Sequence, residues 1–156
     1  MSEFDDNRVR VRIQDKPDVH LSVIDVGPRQ AGPVLFFVQG AGGHALQWVN
    51  QLQHFSQQHR CIAPDLRGHG LSDKPRNGYT VDSITDDLIA VLDRLDIREP
   101  VILLAHSAGG LLGINFAYRF PERLTKLILI NTAAQLPLNR WMRLGLRTPS
   151  MLMIVV

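Results

Sequence analysis

Apolar and polar residues alternate with period two near the N-terminus and give way to continuous apolar runs further along. Val9, Val11 and Ile13 alternate with Arg10 and Arg12, and a second alternation runs from Val19 to Val26. Asp15-Lys-Pro-Asp18 between them is turn chemistry, so the pair predicts an antiparallel hairpin with one solvated face. Val34–Val38, Cys61–Ala63, Val101–Leu104 and Lys126–Ile130 read as strands buried on both faces. Helical spacing lies between them. Leu46, Val49, Leu52 and Phe55 recur at three over Leu46–Gln58, a second helix spans Val81–Leu95 behind a Thr80 or Asp82 cap, and a third follows over Leu111–Tyr118. Pro121-Glu-Arg is a turn, Leu138–Leu146 begins a further helix, and the acidic stretch 1–7 reads as disordered.

Strands that alternate with helices imply an α/β fold, a mostly parallel sheet with helices on both faces. In such sheets the site lies beyond the carboxyl ends of the strands. Three loops leave strands at that edge and converge there: Gln39–Gly43, Asp65–Lys74 and Ala105–Gly110.

Composition narrows the function. The chain has 156 residues, enough for one domain with a real core, and 45% of them are hydrophobic. A formal charge of +2 with interspersed signs shows no nucleic-acid footprint. No apolar run reaches membrane-spanning length, and Met1-Ser-Glu-Phe-Asp-Asp is no signal peptide. The single cysteine, Cys61, sits in an apolar run and reads as a core thiol. This fits a reducing compartment, and a cytoplasmic location is expected. No His/Asp/Glu spacing suggests a metal site, and no cofactor is expected.

The candidate chemistry is at Ser107. Val101–Leu104 stops abruptly at Ala105-His-Ser-Ala-Gly-Gly110, and a helix begins at once. Small-x-Ser-x-Gly between strand and helix is a nucleophile elbow. The serine sits on a strained turn that projects its oxygen from the sheet, and its flanks are small because strand and helix cross beside them. The N–H of Ala108, at the helix start, points where an oxyanion would form.

Together these stretches resemble the α/β-hydrolase superfamily, its serine-nucleophile branch, over roughly residues 9 to 140. Phe37-Val-Gln-Gly-Ala-Gly-Gly-His44 with Trp48 is similar to the family's oxyanion loop, Pro64-Asp-Leu-Arg-Gly-His-Gly-Leu-Ser-Asp73 to its loop after the fourth strand, and Ala105–Gly110 to its elbow. The resemblance implies Ser107 as nucleophile and the N–H groups of Ala41 and Ala108 as the oxyanion hole. It places Gly40, Gly42, His44 and His106 at the substrate pocket, with His106 turned by the elbow toward packing. Where the family has His-Gly, this chain has Gln39-Gly40, and Gln39 is expected to support the loop by hydrogen bonding. His69 is expected to hydrogen-bond within its loop, with Asp65 and Arg67 as structural residues that pair with each other or with the neighbouring loop.

The same resemblance implies a triad in the order Ser, acid, His. No histidine follows Ser107, and the only acid after it is Glu122. The chain therefore reads as residues 1–137 of an α/β-hydrolase core, about six of eight strands, followed by the start of a lid over 138–156. Lys126–Ile130 is then expected to be a bare apolar edge, open to a second copy or to the missing C-terminal half. The expected activity is cleavage of an ester, thioester or C–C bond beside a carbonyl in a small-molecule acyl substrate, with little or none expected of these 156 residues alone because the triad is incomplete, and with a non-catalytic binding or interaction module as the alternative.

Overall fold

The computed structural model describes residues 4–14, 18–30, 32–132 and 152–155. Seven strands form one sheet in the order β1-β2-β4-β3-β5-β6-β7. β1 (Arg8–Gln14) and β2 (Val19–Val26) make the expected hairpin, with Val11 opposite Leu21. β2 pairs antiparallel with β4 (Cys61–Pro64), and from there the sheet is parallel: β3 (Leu35–Val38), β5 (Val101–His106), β6 (Leu124–Ile130) and β7 (Leu152–Val155). β4, β3 and β5 are neighbours that run the same way, so the three loops named above leave one edge side by side.

Helices cover both faces. On one, α1 (Val49–Phe55) packs Leu52 with Trp48 against Phe37, Ala63 and Leu104. On the other, α2 (Val81–Arg94) and α3 (Gly109–Arg119) bury Leu88, Leu92 and Phe116 against Phe36, Ile62 and Leu103. Thr80 caps α2 by accepting the Ser83 N–H at 3.1 Å.

Three differences from the sequence reading have physical reasons. The helix expected over Leu46–Gln58 is a 3-10 turn at Ala45–Trp48 followed by the short α1. Apolar residues recurring at three fit a 3-10 turn as well as an α-helix. The stretch 1–7 is ordered from Phe4 onward: Asp5–Asn7 form a 3-10 turn, and Phe4 is buried in the α1-side core with Ile24 and Leu35. One aromatic side chain supplies the apolar burial that its acidic neighbours lack. The Lys126–Ile130 edge is not bare, because β7 runs along it in register from Lys126↔Leu152 to Leu129↔Val155. Of the stretch assigned to a lid, 138–156, these four residues extend the sheet. The helix expected over Leu138–Leu146 lies outside the described residues.

Cys61 is fully buried on β4, and desolvation pushes its thiol up to about 12. An unfolded cysteine ionises near pH 8.5. The fold therefore holds the neutral thiol, and this contribution is full below about pH 8.5 and lost as pH rises from there toward 12. Native protein at pH 8 is expected to leave Cys61 unlabelled by a disulfide-exchange reagent, with one thiol appearing on denaturation. Rapid labelling of the native protein would contradict the burial.

Candidate active site

β5 ends at His106, and the chain reverses at Ser107 with φ +51°, a left-handed conformation that costs a serine roughly 1–3 kcal/mol. The turn is held from both sides. The Ser107 N–H donates to the Ile130 carbonyl on β6 at 3.0 Å, and the Ser107 carbonyl accepts the Gly110 N–H at 2.9 Å as α3 begins. Small residues are required where the helix crosses the strands. A methyl on Gly109 would collide with the Gln39 carbonyl, and one on Gly113 would stand 3.1 Å from Ala105 Cβ and 3.0 Å from Leu127 Cδ1.

The loop after β3 lies directly beside the elbow. A methyl on Gly40 would stand 3.1 Å from Ser107 Cβ and 3.2 Å from His106 Nδ1. Gln39 is fully buried, and its Nε2 donates to the Gly43 carbonyl at 2.7 Å, so it braces the loop by hydrogen bonding as expected. The Gly43 N–H donates to the Gly40 carbonyl at 3.2 Å and closes the turn. Ala41 and Ala108 both line a cleft of about 150 Å³ with Leu66, Tyr79, Ile84 and Leu112. Among the described residues, neither the Ala41 nor the Ala108 N–H has a protein acceptor.

The remaining candidates divide. Gly42, at φ +73°, donates its N–H to His69 Nε2 at 3.2 Å. His44 is exposed, and its carbonyl receives the Gln47 N–H. His106 turns to the α1 face, edge-on to Trp48 at 6.3 Å, with Nδ1 3.4 Å from Gln47 Nε2. Neither His44 nor His106 lines the cleft. Among the described residues, no cluster of histidine, cysteine and carboxylate side chains is placed to hold a metal. No described helix is long and apolar enough to cross a membrane.

The loop after β4 is built on two buried acids. Asp65 does not pair with Arg67. Its Oδ1 accepts the Ala45 N–H at 2.6 Å, and its Oδ2 accepts the Leu71 N–H at 2.9 Å and Arg8 at 3.0 Å. Arg67 instead reaches α2, where its Nε and a terminal nitrogen each lie 2.6 Å from Asp87. The Asp87 hydrogen bond raises the Arg67 guanidinium, while burial pushes the Asp87 carboxyl up against the pull of Arg67. The two short bonds of this bidentate geometry favour the charged pair over that desolvation. These partners are far apart in sequence, and residue spacing carries no signal for them. Arg67 and Asp87 also border a larger polar hollow of about 870 Å³ between the hairpin end and α2. Its lining holds neither the start of α3 nor the loop after β3, which border the smaller cleft through Ala108, Gly109 and Ala41, so the smaller cleft is the candidate site.

Replacing Asp65 by alanine would remove the carboxylate partner of Arg8, which keeps its bond to Ser22 Oγ, and leave the Ala45 and Leu71 N–H groups without their acceptor. Loss of one partner of a buried ion pair costs about 3–5 kcal/mol, and a fall of that size in the unfolding free energy from urea denaturation is expected for Asp65→Ala. A change below about 1 kcal/mol, the range of an exposed pair, would contradict the role given to Asp65.

The matches to other proteins agree with this geometry. A family model described as the alpha/beta hydrolase fold matches residues 33–153. A cis-3-alkyl-4-alkyloxetan-2-one decarboxylase of Shewanella oneidensis is 38% identical over 122 residues, covering 72% of this chain and 38% of that protein. The 3-oxoadipate enol-lactonase 2 of Acinetobacter baylyi is 38% identical over 104 residues, 67% of this chain and 39% of that protein. A solved hydrolase from Pseudomonas aeruginosa superposes with a TM-score of 0.76 at 30% identity, covering 85% of this chain and 48% of that one. The chain thus spans less than half the length of these three proteins. Sheet order, the strained Ser107 turn and the match across residues 33–153 lead to one assignment: the chain belongs to the alpha/beta hydrolase fold family.

Proposed function

We propose that this chain carries the nucleophile and the oxyanion-binding half of a serine hydrolase that cleaves an ester, thioester or C–C bond beside a carbonyl. One observation carries the reading: Ser107 sits at φ +51° between β5 and α3, beside a loop that shares a cleft with the helix start. Ser107 Oγ attacks the carbonyl carbon. The oxygen that becomes negative accepts hydrogen bonds from the Ala41 and Ala108 N–H groups, which line that cleft and have no acceptor among the described residues. Collapse of this intermediate expels the leaving group and leaves an acyl ester on Ser107, which water then hydrolyses. The apolar lining by Leu66, Ile84 and Leu112 suits the acyl chain of a small-molecule substrate. The hydrolase relatives support the reaction class, and the lactone named for the Acinetobacter relative is an internal ester of the kind this site would accept. A cytoplasmic location belongs to the same reading and rests on one buried thiol in the chain.

The serine proton needs an acceptor. All six histidines precede Ser107 in the sequence. His69 has both ring nitrogens engaged, and His106 faces Gln47 and Trp48. Among the described residues His69 is the one histidine that lines the cleft, and with both its ring nitrogens engaged the reading assigns no general base there. Without a base, the oxyanion hole and substrate binding leave only residual catalysis, about 10³–10⁴-fold over water in triad enzymes stripped of a member.

The test is a fluorophosphonate probe with mass spectrometry, alongside p-nitrophenyl ester turnover. Slow labelling confined to Ser107 is expected, with none in Ser107→Ala and only residual turnover. Labelling that survives Ser107→Ala, or turnover matching complete hydrolases, would contradict the reading.

A further inference from the structure

His69 stands on the loop after β4 and lines the cleft beside Ala41. Its two ring nitrogens have unlike partners. Nδ1 lies 3.0 Å from the Arg67 carbonyl oxygen, which can only accept a hydrogen bond. Nε2 lies 3.2 Å from the Gly42 nitrogen, whose N–H can only donate. The two contacts together allow one protonation state, the neutral ring with its proton on Nδ1 and a lone pair on Nε2.

The ring reaches from a rigid base. The Arg67 side chain is clamped to α2 by Asp87, and the His69 N–H closes a turn onto the Leu66 carbonyl at 2.9 Å. What it grips is the residue after Ala41. Gly42 has φ +73°, with open space where a side chain would be, so no packing of its own fixes it. From the core side the loop is held by Gln39 through Gly43; from the outer side His69 supplies the bond to Gly42. Ala41 lies between these two restraints.

We propose that His69, in its neutral Nδ1–H tautomer, is the positioning residue that fixes the outer side of the oxyanion loop and so aims the Ala41 N–H. The assignment rests on the hydrolase reading for its purpose, because it is the oxyanion that needs the aimed N–H. It also accounts for a histidine at the cleft that does no acid–base work: the lone pair a base would need already accepts from Gly42.

The experiment uses the whole 156-residue chain labelled with ¹⁵N. Long-range ¹H–¹⁵N spectra of the imidazole report the tautomer directly, and amide exchange reports the Gly42 bond. The expected result is a protonated Nδ1, a bare Nε2 and a protected Gly42 amide. His69→Phe should then speed Gly42 exchange about tenfold, the factor carried by a hydrogen bond of ordinary strength, with the β3 and β5 amides unchanged. His69→Gln, whose Oε1 falls near the place of Nε2, should restore most of the protection, which a role in mere loop packing would not require. A proton on Nε2 in the wild-type chain, or Gly42 exchange unaltered in a folded His69→Phe variant, would overturn the assignment. The wild-type tautomer decides the question should His69→Phe not fold. Fluorophosphonate labelling reports separately: an unlabelled Ser107 overturns the hydrolase reading and with it the purpose of the loop, whereas a wrong tautomer overturns only the role of His69.

Discussion

A fully buried carboxylate, Asp65, ties together the loops that border the candidate site. Its two oxygens gather Arg8 from the hairpin, the Ala45 N–H where the loop after β3 ends, and the Leu71 N–H of its own loop. The backbone adds to this, with the Asp65 N–H donating to the Ser22 carbonyl and the Asp65 carbonyl accepting from Ser72 Oγ. A buried charge is tolerated only when its lone pairs are used. Here their use gives rigidity: loops that would otherwise fray are held to the sheet at one point, and a preformed site depends on such support.

The second constraint is the crossing of α3 over the ends of β3 and β5. Gly109 and Gly113 let the helix axis approach the strands, which brings the first turn of α3 against the loop after β3. The closeness has a conformational cost, concentrated in Ser107. Next to it, at the end of β6, Asn131 is also left-handed, at φ +48°. Two neighbouring parallel strands thus end in the same unusual conformation, in register through the pair His106↔Ile130. The Ser107 N–H and Thr132 Oγ1 both reach the Ile130 carbonyl, at 3.0 and 3.4 Å, so β6 buttresses the elbow.

Much of this was legible in the residues. The inner strands were readable because a two-sided sheet demands continuous apolar runs, and β1 because its exposed Arg10 and Arg12 alternate with buried Val11. β2, where Leu21 to Ile24 are all buried, is covered on both faces despite its alternation. Ser107 was readable because strain and close approach restrict its neighbours to small residues. The ion pairs were not. Arg8 and Asp65 lie 57 positions apart, and Arg67 and Asp87 lie 20 apart, so only the fold reveals which acid meets which base. The same holds for His69 and Gly42, whose contact joins loops leaving two adjacent strands. Phe4 was hidden by its acidic surroundings, and β7 by its separation from β6 through residues whose pattern suggested a helix.

The central claim is that one point in space is shared by the Ser107 oxygen and two backbone N–H groups. A crystal structure of the fluorophosphonate adduct tests it most directly, because the phosphonyl oxygen stands where the oxyanion of the tetrahedral intermediate would be. The account predicts a covalent bond from Ser107 Oγ to phosphorus, with that oxygen about 3 Å from both the Ala41 and Ala108 nitrogens. An adduct on any other residue, or a phosphonyl oxygen directed into solvent away from both N–H groups, would contradict it.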